Sequence, residues 1–118
     1  MKKIAEGISC SSKVEVEGLL CFIQSVEDVI ALFDSAKGRI CIVEDSGTTT
    51  LGPILSDLSG VLCITGSEGS HLAIVSREFE LPCIMALNIT KEDILLYHDK
   101  KVKIVTEGEK NGILYLID

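Results

Sequence analysis

The turn Gly66-Ser67-Glu68-Gly69 runs into Ser70 and His71, and an amphipathic pattern follows at once, Leu72-Ala73-Ile74-Val75-Ser76-Arg77-Glu78. This order predicts a helix with an imidazole at its start. The first backbone N–H groups of a helix have no partner within it, and the positive end of its dipole lies there too. A negatively charged group is therefore favoured at that place. Neutral imidazole is a competent nucleophile near pH 7, because its ordinary pKa is about 6.5. Attack of a ring nitrogen on phosphorus gives a phosphoramidate, which readily hands its phosphoryl group on. Such transfer needs positioning and charge stabilisation and little else. The candidate supports for phosphate are the backbone N–H groups of Gly69, Ser70 and Leu72, the Ser70 hydroxyl and the Arg77 guanidinium. Ser70 is equally suited to capping the helix. Helical side chains lean back toward the N-terminus, which aims Arg77 at the loop, although six residues separate it from His71.

The surrounding pattern must supply a frame for that loop. Val14-Glu15-Val16-Glu17 alternates and leads into Leu19-Leu20-Cys21-Phe22-Ile23, a predicted strand with Gly18 as a bend or bulge. Ser25 and Asp28 form a capping pattern for a short helix carrying Val26, Val29, Ile30 and Phe33 on one face and ending near Lys37-Gly38. Residues 39–43 read as a buried strand. Ser46-Gly47-Thr48-Thr49-Thr50 is a polar loop, and Pro53 suits the first turn of a helix running to Leu58. Residues 61–65 form another buried strand before the glycine loop. In the helix that follows, Leu72, Val75 and Phe79 share one spacing, and Pro82 ends it. Residues 83–87 are a further strand. Thr90-Lys91-Glu92-Asp93 starts a turn of helix at most. Residues 102–106 and 113–117 are strands, and Asn111-Gly112 between them suits a tight hairpin. The alternation describes one α/β domain over residues 1–118, its sheet covered by short helices and closed by a C-terminal hairpin.

Composition bounds the function. The chain has 118 residues, 47% hydrophobic and 25% charged, so an ordinary core is available. Aromatics are 4%, which leaves Val, Ile and Leu to fill it. A net charge of -7 argues against nucleic acid and against an anionic membrane surface as partners. No apolar run is long enough to cross a bilayer, and the start of the chain is not a signal peptide. The cysteines at 10, 21, 41, 63 and 83 are odd in number, with no C-x-x-C pair, and they predict buried reduced thiols in a cytoplasmic protein. No zinc spacing is present. Cys63 lies inside an apolar strand pattern, which argues against a Cys63–His71 catalytic pair. His98, between Tyr97 and Asp99, reads as a solvated turn residue.

Residues 66–82 resemble the signature of the mobile, swivelling phosphohistidine domain of phosphoenolpyruvate-utilising enzymes. Pyruvate phosphate dikinase, phosphoenolpyruvate synthase and Enzyme I of the sugar phosphotransferase system are of this kind. The pattern is carried by Gly66, Ser70, His71, Ala73, Ile74, Val75, Ser76, Arg77 and Leu81-Pro82. Lys37-Gly38-Arg39-Ile40-Cys41-Ile42-Val43 resembles the family's glycine-plus-strand segment. Thr50 stands where the family has a threonine before a helix, and residues 99–115 resemble its closing hairpin. Ser67 replaces the second glycine of the pattern. Gly69 replaces a threonine, which removes a hydroxyl from the loop. The resemblance covers roughly residues 7–117.

It implies a β/β/α three-layer swivelling fold, His71 as the phosphoryl carrier on Nε2, and a phosphate-binding role for Thr50. The chain has no Walker-A loop, no kinase signature and no magnesium carboxylate pair, so no cofactor is expected on this domain. The resemblance places Mg2+ and ATP at partner domains instead. Those partners are a nucleotide-binding ATP-grasp domain and a phosphoenolpyruvate/pyruvate-binding barrel domain, and the compact chain is expected to be a separate small protein. The enzyme class implied is a phosphotransferase that is inactive alone. Two other readings remain open at this point: a non-catalytic regulatory module, and the small swivelling subunit of an aconitase-like dehydratase.

Overall fold

The structure, a computed structural model, describes residues 2–10, 14–44, 52–65, 71–107 and 111–117. Four strands form its middle wall, apolar almost throughout where they pair in parallel. These are β2 (Val14–Ile23), β3 (Arg39–Val43), β4 (Gly60–Cys63) and β5 (Cys83–Met85), with β1 (Lys2–Ser9) preceding them. β2, β3, β4 and β5 pair in parallel in that order, with Cys21 level with Cys41, Val43 with Cys63, and Val61 with Cys83. Strands of this kind are apolar throughout because both faces are covered. Alternate residues here enter two different cores. Cys21, Ile23, Cys41, Val43, Val61, Cys63, Cys83 and Met85 face one. Leu20, Phe22, Ile40, Ile42, Leu62 and Ile84 face the other.

Helices cover the first core. They are α1 (Val26–Ala31), a 3-10 helix Gly52–Asp57 and α2 (His71–Glu78). The second core is closed by β1, β6 (Lys101–Glu107) and β7 (Asn111–Leu116), through Ala5, Val102, Ile104 and Leu114, with Ile94 of α3 (Lys91–Leu95) fully buried there. The strands close into a barrel in the order β1-β5-β4-β3-β2-β6-β7. The layers are therefore β, β and α, as the resemblance implies.

Several local expectations need correction. β1 is unforeseen: of KKIAEGIS only Ala5 and Ser9 are buried, so no apolar stripe announces it. Its pairing comes from far away, Lys2 lying opposite Leu116. Gly18 is not a bulge. Its pairing with Val102 is regular, and a Cβ there would lie 2.5 Å from the Gly38 carbonyl oxygen. α1 starts as expected, with the Ser25 hydroxyl accepting from the Asp28 N–H at 3.4 Å, but it buries Val29 and Leu32 and leaves Ile30 and Phe33 half-exposed. The segment opened by Pro53 is 3-10 rather than α. Asn111 and Gly112 are not the hairpin turn. They belong to β7, opposite Glu107 and Thr106, and the turn between lies outside the described residues. Gly112 is small because the Ile84 side chain occupies its inward space.

β2 changes partner along its length. It pairs with β6 up to Leu19 and with β3 from Leu19 onward. On the side β6 has left, the 97–100 turn takes over. The Leu20 N–H donates to the Lys100 carbonyl at 2.9 Å, and the Asp99 N–H donates to the Leu20 carbonyl at 2.7 Å. The Phe22 N–H donates to His98 Nδ1 at 3.2 Å. His98 is thus the acceptor that completes a seam rather than a merely solvated residue.

Candidate functional site at the start of helix α2

β3 and β4 are parallel neighbours, so the loops that follow them leave from adjacent strand ends. The C-terminal ends of parallel strands are where α/β sheets bind ligands, because helix starts and loops gather there. One loop carries Thr50, and the other carries Gly66, Ser67, Gly69 and Ser70. All five fall within 45–51 and 66–70, which lie outside the described residues. Their points of departure are described. The Ile64 N–H donates to the Val43 carbonyl at 3.0 Å, and the Thr65 hydroxyl donates to the Glu44 carbonyl at 2.7 Å. The end of β4 is thereby tied to the end of β3 immediately before the glycine loop. Sequence reasoning did not single out Thr65 or Glu44. Thr65 reads from the sequence as the last residue of a strand, whereas β4 ends at Cys63.

His71 is the first residue of α2, at the end of the helix where the sequence pattern puts it. The side chains of His71 and Leu72 lie outside the described residues. The rest of α2 is firmly seated. Val75 packs into the helix-side core and Ser76 is fully buried. The C-terminus closes by a Schellman arrangement: the Leu81 N–H donates to the Ser76 carbonyl at 2.9 Å and the Glu80 N–H to the Arg77 carbonyl at 3.0 Å. Glu80 accordingly has φ 56. The helix therefore stops before Pro82 through its own backbone. Leu81 is buried beneath that turn, while Phe79 is half-exposed instead of sharing the buried face with Val75.

Arg77 stands in the last turn of α2. Its Nε–H donates to the Cys10 carbonyl at 3.1 Å, which joins the helix to the chain just after β1. At about 1.5 Å rise per residue, six residues put its Cα roughly 9 Å along the axis from His71. Arg77 thus has a structural hydrogen bond that the sequence did not reveal. Cys63 is fully buried, with its Sγ 3.9 Å from the Glu44 carbonyl oxygen. Among the described residues no group of three or more His, Cys, Asp or Glu could hold a metal ion. No described helix is long and apolar enough to cross a membrane.

Comparison with known proteins gives the arrangement a context. An MccF-like protein from Bacillus anthracis is similar in structure, with a TM-score of 0.53 at 15% identity over 94% of this chain and 43% of that one. A muramoyltetrapeptide carboxypeptidase from Oxalobacter formigenes has a TM-score of 0.55 at 13% identity over 95% of this chain and 50% of that one. Identities of this size show a shared fold alone. The N-terminal domain of Enzyme 1 - Nitrogen matches with a TM-score of 0.49 at 15% identity, over 75% of this chain and 36% of that one. The chain spans half or less of the length of each of these structures. No curated protein matches the sequence. The family described as PEP-utilising enzyme, mobile domain, matches residues 35–107. That stretch is more than half of the chain and runs from the turn after α1 through β3, β4 and the whole of α2 to the end of β6, so the chain belongs to the mobile-domain family of phosphoenolpyruvate-utilising enzymes.

Proposed function

We propose that this chain is the phosphoryl-carrying component of a phosphotransferase and that His71 is the carrier residue. One observation bears most of the weight: in a member of the mobile-domain family, a histidine opens the helix that follows a glycine loop at the end of a parallel strand. The neutral ring attacks phosphorus through Nε2. The N–P bond forms as the P–O bond to the leaving group breaks. The helix start, with its unpartnered N–H groups, favours the charge that arrives. Gly69, Ser70 and Leu72 supply backbone donors, Ser70 adds a hydroxyl, and Thr50 joins from the loop after β3. Gly66 and Ser67 keep the approach to the ring small enough for a partner site to close over it. Arg77 contributes positive charge from further along α2.

In this reading the donor and acceptor sites belong to partners. One is a nucleotide-binding ATP-grasp domain that holds ATP and Mg2+. The other binds phosphoenolpyruvate or pyruvate. The carrier moves between them in the cytoplasm. Incubation with labelled phosphoenolpyruvate or ATP and those partners is expected to give acid-labile, base-stable label in the wild type and none in His71→Ala. Equal label in both would overturn the assignment.

A further inference from the structure

All five cysteines lie in the helix-side core, and none is in a disulfide. Two of them form a pair with a route to solvent. Cys21 and Cys41 are register partners on β2 and β3. Neighbouring strands lie about 4.7–4.9 Å apart, which falls inside the Cα separation of about 4.4–6.8 Å that a disulfide spans. Both residues point to the same face, since both enter the same core. The two thiols are hydrogen-bonded to each other. That bond holds the Cys21 thiol below its ordinary pKa against the opposing effect of burial, with help from Arg39 and opposition from Asp99 and Asp28. The same bond, together with burial, pushes the Cys41 thiol well up. Cys21 is therefore the member suited to exist as thiolate, and Cys41 the member that keeps its proton.

Access separates Cys21 from the other cysteines. Cys41, Cys63 and Cys83 are fully buried and Cys10 is 2% exposed, whereas Cys21 retains 6% exposure. A cavity of about 240 Å³ reaches Cys21, and Ser35, Arg39, His98 and Asp99 also line it. Ser35, His98 and Asp99 are exposed, so this cavity opens at the surface. Arg39 is anchored there by its Nε–H donating to the Ser35 carbonyl at 3.2 Å and by an ion pair with Asp99 at 3.0 Å. The guanidinium stands close enough to Cys21 to favour negative charge on its sulfur.

From this geometry we infer that Cys21 is an oxidation site, with Cys41 as its resolving thiol and a hydroperoxide as the oxidant that enters through the cavity. The Cys21 thiolate attacks the peroxide, an S–O bond forms and the O–O bond breaks. The departing hydroxide or alkoxide takes up a proton, and Cys21 is left as a sulfenic acid. The Cys41 sulfur then attacks the Cys21 sulfur. The S–S bond forms, the S–O bond breaks, and the hydroxide leaves as water with the Cys41 proton. Two thiols have lost two electrons in total, and one peroxide has gained them. The link would fasten β2 to β3 beneath α1, two residue positions beyond Arg39 at the start of β3.

The test uses the full chain, reduced, exposed to hydrogen peroxide, quenched by alkylation and mapped by peptide mass. The expected first product is a Cys21–Cys41 link that consumes two of the five thiols and is reversed by dithiothreitol. Before oxidation, Cys21 should alkylate at least about tenfold faster than Cys63, because an accessible thiolate reacts and a buried thiol does not. Cys41→Ser should stop at a dimedone-reactive sulfenic acid on Cys21. A first link at Cys10–Cys83, thiol loss without a Cys21–Cys41 link, or Cys21 no faster than Cys63 would each overturn the inference. The peptide map of the wild type decides the matter even if the serine variant does not fold.

Discussion

At Arg77 two effects share one side chain. Its Nε–H holds the Cys10 carbonyl, and its charge lies along the helix that His71 begins. The observed bond makes Arg77→Ala cost about 1 kcal/mol, a fall in melting temperature of about 4 °C for a domain of this size. Phosphohistidine formation should also fall, by at least about tenfold, which corresponds to roughly 1.4 kcal/mol. Arg77→Lys separates the two roles. A lysine keeps the charge but cannot reproduce the planar donor at Nε. It should recover labelling and leave the melting temperature low. Labelling that stays low in Arg77→Lys would mean that the guanidinium itself, and not its charge, serves the phosphate. At this scale the sequence was legible where chemistry is local. A glycine loop, a histidine and a helical pattern are contiguous, and α2 begins at His71 accordingly. The Arg77–Cys10 contact joins residues far apart in the chain and left no local trace.

Elements were legible in proportion to how much of their stability is local. Caps are short-range, and the two that fall on described residues are present: Ser25 accepts from the Asp28 N–H, and Thr90 accepts from the Asp93 N–H at 3.2 Å. The wall strands were legible because burial on both faces makes them apolar throughout. Helix faces were not, because α1 has more apolar residues than its one buried stripe can use. Ile30 and Phe33 sit at 55% and 52% exposure while Leu32 is buried. Two truncations should show the difference. Leu32→Ala should cost about 2–5 kcal/mol, since it leaves a void in a packed core. Phe33→Ala should cost under about 1 kcal/mol, as a surface change does. Denaturant titration of both variants checks this, and equal losses would restore the face read from the sequence. β1 shows the opposite failure. Its inward residues are as small as Ala5, so it has almost no apolar signature of its own and depends on partners at the other end of the chain.

The molecule as a whole is closed by contacts that no window of sequence contains. The fold class could still be inferred, because alternating wall strands and helices dictate layers. Closure itself depends on the seam beside β2, where the 97–100 turn replaces a strand. His98 supplies the acceptor for the Phe22 N–H. His98→Leu should leave that donor unsatisfied at a cost of about 1–3 kcal/mol. Native-state hydrogen exchange should show the loss first at the Phe22 amide, with the Leu20 amide following. Unchanged protection at Phe22 would mean that the seam is held without the imidazole. The neighbouring Arg39–Asp99 pair is open to water on its acidic side, and exposed ion pairs of this kind contribute only about 0–1 kcal/mol.

The pairing of Lys2 with Leu116 governs the order in which the barrel can form. β2, β3, β4 and β5 can assemble from sequential, right-handed strand–helix units as the chain emerges. β1 cannot take its place against β7 until almost every residue between them has been made. Joining ends this far apart carries a large loop-closure cost before any contact offsets it, and folds dominated by such distant pairings are slow to form. The wall and its helices are thus the early structure, and the exposed inner face of that wall waits for the last strand. A chain that stops short of β7 would present Leu20, Ile40, Leu62 and Ile84 to solvent together, the condition under which a nascent domain is captured by chaperones or aggregates.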